Sequence, residues 1–146
     1  MFSSPIASYQ QISIESDIRG ADPHRLIVLL FDGAESALRQ AQTRLAENDM
    51  KGKSDSLMKA IDIILSGLSA SLDTEQGGDL AQNLKALYEY MVSRLIHANI
   101  HRDAIAIREV QGLLGEIASA WREIGIAGRQ EPDQQAQPGR DPSAAR

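Results

Sequence analysis

The 146-residue chain contains no cysteine. That excludes disulfides, thiolate metal sites and a cysteine nucleophile together, and it fits a reducing compartment. Bases are scarce as well: 15 lysines and arginines stand against 20 acids, a net charge of −5. With no basic footprint to neutralise phosphates, nucleic acid is not an expected partner. Long apolar runs are also missing. LIVLLF at 26–31 is the longest, far below the roughly 20 residues a membrane helix needs, so no membrane insertion is expected. The opening MFSSPIASYQQ lacks the basic-then-apolar order of a secretory signal, and the chain reads as cytoplasmic. What is present is a 42% hydrophobic composition, enough for one domain that buries roughly two thirds of its unfolded surface.

Helical periodicity runs through most of that domain. In ADPHRLIVLLF, Asp22 suits an N-cap and Pro23 the first helical position, and apolar residues then recur as Ile27, Phe31, Ala34, Leu38, Ala41 and Leu45. This predicts a helix over 22–47. A second, over 49–72, carries Leu57, Ile61, Ile64, Leu68 and Leu72, with Asn48 or Asp49 as its cap. A third, over 78–99, carries Leu80, Leu84, Leu87, Met91, Leu95 and Ala98; a fourth, over 103–125 and capped by Asp103, carries Ile107, Val110, Leu114, Ile117, Trp121 and Ile124. Four amphipathic helices with short connections form an all-α, antiparallel up-down four-helix bundle spanning 1–126, each helix burying one stripe. Residues 1–20, with Ile6, Tyr9, Ile12 and Ile14 on a polar background, are expected to lie on the bundle as a short helix or extended cap. The stretch 127–146 holds three of the five prolines and no aliphatic larger than alanine, so it is expected to be a disordered tail.

Catalytic chemistry finds little to work with on this scaffold. Gly77-Gly78 has neither the spacing, the preceding strand nor the lysine of a phosphate loop. It reads instead as a connector in which glycine tolerates positive φ, with Asp79 favourable in the next first turn. A di-iron centre in a bundle needs Glu-x-x-His on two helices, and the sequence has none. His97 and His101 would share a face only if the third helix continued through Asn99, which is read as its stop, and no third ligand is evident. No nucleophile turn or serine–histidine–acid arrangement is recognisable. Neither a metal, a cofactor nor an enzymatic activity is expected.

Several large aliphatics fall off the stripes. At 100° per residue, Val28, Leu29, Ile63, Ile96 and Ile105 lie more than about 100° from the centres of their helices' buried faces. Two readings account for them. They are ordinary surface aliphatics, some covered by residues 1–20, or they line a groove for a partner's amphipathic helix, with the amino-terminal strip as a removable cover.

Four segments carry a family resemblance: the stretch from Ser16 through ADPHRLIVLLFDGA at 16–34, KAIDIILSGLSASLDTEQGGDLAQNLKALYEYM at 59–91, Ala-Asn at 98–99 and EVQGLLGEIASAW at 109–121. In their order and spacing the chain resembles the FliS family of flagellar export chaperones, from Met1 to about Ile124. The resemblance implies a cytosolic four-helix bundle that binds the carboxy-terminal region of newly made flagellin, prevents premature polymerisation and delivers it to the flagellar type III export apparatus. It further implies docking to the cytosolic domain of the export gate, with Ile6 and Tyr9 involved in that step. It leaves open a regulatory role in which another flagellar partner, such as the anti-sigma factor, is sequestered.

Overall fold

The computed structural model describes residues 22–136, with side chains as far as Gly125. The first helix, α1, spans Pro23–Ala46. Its start is fixed as the sequence predicts: the Asp22 carboxylate accepts from the Arg25 N–H at 2.8 Å and proline occupies the first turn. Asn48 adopts φ 63°, a left-handed geometry that asparagine tolerates, and so reverses the chain. Asp49 then caps α2, Met50–Asp62, by accepting from Gly52 N–H at 2.9 Å.

Helix α2 passes without interruption into a π-helical stretch, Ile63–Ser69. The wider turn coincides with a close approach of α1. A Cβ at Gly67 would stand 2.9 Å from a Leu30 methyl, closer than real Cβ contacts come. In the following connector the Asp73 carboxylate accepts from the Glu75 and Gln76 N–H groups. Only Gly78 of the glycine pair has positive φ, at 59°. Gly77 sits at φ −78°, and glycine is required there for a different reason: a Cβ would meet the Asp73 carbonyl oxygen and the Ala81 Cβ, each at 2.7 Å.

Helix α3 spans Gly78–His101 and α4 spans Ala104–Ala136. The third helix thus passes Asn99, its expected stop. An asparagine ends a helix when its side chain competes for nearby backbone groups, but the Asn99 amide oxygen is engaged by Lys53 Nζ and Ser54 Oγ, both at 2.8 Å. The chain turns instead at Arg102, φ 54°, whose N–H bonds the Ala98 carbonyl. Asp103 caps α4 through the N–H groups of Ile105 and Ala106. In its backbone α4 continues past the expected end at 125, as far as Ala136.

The helices up to Gly115 pack as one unit, and α4 from Glu116 onward belongs to a second. Within the first unit neighbouring helices run antiparallel. The start of α2 meets the end of α3 through Lys53 and Asn99, and Gln42 of α1 reaches the Ala104 carbonyl and Gln111 of α4. The all-α bundle expected from periodicity is therefore present, and among the described residues there is no strand. Its core holds Phe31, Leu38, Leu57, Ile64, Leu68, Met91, Leu95, Ile107, Val110 and Leu114, all fully buried. Each is worth roughly 1.5–3 kcal/mol in apolar burial. Ala34, Ala41, Ala60, Ala98 and Ala106, equally buried, let the helix backbones approach closely.

Candidate partner-binding surface

The off-stripe aliphatics divide. Ile96 is 47% and Ile105 70% exposed; Val28 and Leu29 are half-buried. Ile63 is inside, at 1% exposure, and is not part of any surface. It lies one turn before Gly67, on the side where Leu30 closes on the helix. The buried face of α2 is wider than one stripe because α1 covers one side and α3 the other. Two residues expected on stripes are exposed, Leu80 at 70% and Ile124 at 59%. Ile6 and Tyr9 lie outside the described residues.

Further exposed apolar residues are Met58 at 55%, Leu65 at 44% and Ile100 at 70%, none of them singled out from the sequence. Ile100 was legible in principle, since it follows Ile96 by four and shares its face once α3 is known to extend that far. Met58 is on α2 and Leu65 in the π-helical stretch that continues it. The Ser54–Asn99 hydrogen bond fixes how α2 and α3 lie side by side. One turn onward from it, Met58 on α2 and Ile96 on α3 flank the outside of the same seam.

Polar contacts bridge this seam and the next one. Lys53, 3% exposed, donates to the Asn99 backbone carbonyl at 2.9 Å as well as to its side chain. Burial holds the ammonium below the ordinary lysine range, and nearby Arg102 adds to the effect. Across the α3–α4 seam, Glu109 accepts from the Tyr90 hydroxyl and from Arg94 Nε. These two hydrogen bonds, the Tyr90 one first, keep the Glu109 carboxyl below its usual range, while the same bond raises the Tyr90 phenol. His97 and His101 do share a face, with ring centroids 4.5 Å apart, and His97 Nε2 lies 3.3 Å from Asp103 Oδ2. Among the described residues, however, no group of three metal-ligating side chains comes together. No helix among them is long and apolar enough to cross a membrane.

The surface thus offers exposed aliphatics on a stiff helical frame. Comparison with known proteins gives this a context: the family model described as flagellar protein FliS matches residues 5–128. The chain belongs to the FliS family. It is 52% identical over 121 residues to the flagellar secretion chaperone FliS of Salmonella typhimurium, covering 83% of this chain and 90% of that one. The Escherichia coli protein of the same name is 47% identical over 116 residues, covering 80% and 85%. The Bacillus subtilis protein is 32% identical over 120 residues, covering 82% and 85%. FliS is a family of chaperones rather than of enzymes, and its match spans the whole of the helical unit described above.

Proposed function

We propose that the chain is a cytosolic export chaperone that binds the carboxy-terminal segment of newly made flagellin, keeps it from polymerising and hands it to the flagellar type III export apparatus. The observation that carries this reading is the set of large aliphatics left exposed, Met58, Ile96, Ile100 and Ile105 above all, in a chain whose relatives are flagellar secretion chaperones. An amphipathic segment that assembles with its own kind presents apolar stripes, and a second apolar surface masks them without ATP or a cofactor. Ordering such a segment costs about 2–5 kcal/mol or more, which favours a long contact spread across several shallow patches rather than one deep pocket. Delivery then involves the cytosolic domain of the export gate, with Ile6 and Tyr9 as the proposed contacts.

Ile96→Ser and Ile105→Ser test the reading. Each residue buries further area only in a complex, so each change is expected to weaken binding of a flagellin carboxy-terminal fragment by up to about 1.5–3 kcal/mol. Folding stability should move by less than about 0.5 kcal/mol, as for ordinary surface substitutions. Calorimetric titration and urea denaturation of the same samples give both numbers. Two variants that bind the fragment like the parent chain would remove this surface from the mechanism.

A further inference from the structure

The outer ridges of α2 and α3 are not purely apolar. On α2 Met58 and Asp62 are spaced i, i+4, with Leu65 exposed just beyond them in the π-helical stretch, and on α3 Glu89, Ile96 and Ile100 are spaced i, i+7, i+11, so on each side a carboxylate accompanies exposed aliphatics. Glu89 is paired with Lys85 at 2.9 Å. Asp62 differs: it is half-buried one turn after Met58, and among the described residues it accepts from the Ser66 hydroxyl at 3.2 Å and pairs with no cation. A wholly apolar segment laid over this seam would strip water from a carboxylate with only a hydroxyl in return, which is unfavourable for an unpaired charge.

Building on the chaperone reading above, we propose that the segment occupying the α2–α3 seam is an amphipathic helix with a lysine or arginine set into its apolar stripe, placed to meet Asp62. Asp62 is then a specificity determinant: it admits apolar stripes carrying a base and disfavours those that are apolar throughout. The chain's net charge of −5 works in the same direction by steering basic segments toward it.

The test is titration of the carboxy-terminal segment of the cognate flagellin against wild type, Asp62→Asn and Ser66→Ala at low and high salt. Asp62→Asn keeps the shape and the acceptor for Ser66 while removing the charge. It is expected to weaken binding about tenfold, the scale of one charge-assisted hydrogen bond, and to flatten the salt dependence. Ser66→Ala, which removes only the internal hydrogen bond, should bind as wild type. Unchanged or tighter binding by Asp62→Asn overturns the proposal, because relief of an unpaired charge would then outweigh any pairing. So does a Ser66→Ala variant as weak as Asp62→Asn, which would make the effect internal to the fold. If wild type does not bind the flagellin segment at all, the chaperone reading fails and takes this inference with it; if wild type binds and Asp62→Asn binds better, only the inference fails.

Discussion

Gly77 and Gly78 show how one residue type meets two unrelated demands in adjacent positions. Gly78 is in the left-handed region with nothing within 4 Å of where its Cβ would be. The cost of a side chain there is conformational alone. Gly78→Ala should lower stability by about 1 kcal/mol and Gly78→Asn by less, since asparagine visits this region more readily. Gly77 has ordinary φ, but its Cβ would strike a backbone carbonyl at 2.7 Å. Gly77→Ala is therefore expected to cost more than Gly78→Ala and not to be eased by asparagine. Urea denaturation of the three variants ranks them, and an equal loss for the two alanines would mean that both sites share one cause. Ile63 belongs to the same scale: as a core residue, Ile63→Ser should lose about 2–5 kcal/mol of stability, by analogy with large-to-small core changes, and so cannot be read as a binding mutation.

Between elements, the bond from Tyr90 and Arg94 on α3 to Glu109 on α4 is a surface clamp with a pH signature. Glu109 titrates below its usual range in the folded state, first through the Tyr90 hydroxyl and then through Arg94. A carboxyl depressed in this way stabilises the fold above its unfolded pKa, about 4.3, and that contribution disappears as pH falls through the lower folded value. Glu109→Gln should therefore lose stability at pH 7 and little at pH 3, narrowing the gap between the two. Urea midpoints for both proteins at the two pH values measure this, and an undiminished gap in the variant would show that the clamp contributes nothing. The π-helical stretch is the second feature at this scale. It coincides with a close approach of α1, through Leu30 to Gly67, so Gly67→Ala should destabilise the parent chain, and should cost less in a Leu30→Ala background, where room exists for the new methyl.

For the molecule as a whole, the proposal requires that binding and stability respond to different residues. Leu114→Ala, in the core, should cost about 2–5 kcal/mol of stability, whereas the ridges respond in affinity alone. Residues 137–146, QPGRDPSAAR, carry no aliphatic larger than alanine and have little to add to either quantity. Removing them should leave the thermal midpoint and the flagellin affinity unchanged, and a loss beyond about tenfold, or 1.4 kcal/mol, would place them in the site.

The sequence by itself determined the helices, because each has a period and most have a chemical boundary that acts locally: Asp22 with Pro23, Asp49, Asp103 and the glycine pair all lie where the chain turns. Local chemistry misled at Asn99, whose side chain is taken up by Lys53 and Ser54, 45 or more residues away in sequence. Which aliphatics are exposed depends on how the helices pack. Wheel angles treat a helix as having one neighbour, so they left Ile63 outside although it is 1% exposed, and they kept Leu80 inside although it is 70% exposed. Ile96 and Ile105 were legible from angle alone, because each lies away from the buried face of its own helix and is exposed. The seam flanked by Met58 and Ile96, with Asp62 one turn further along α2, exists only because two antiparallel helices meet in one register. Periodicity fixes the face a residue takes on its own helix, whereas register between helices depends on side-chain contacts that no local pattern encodes.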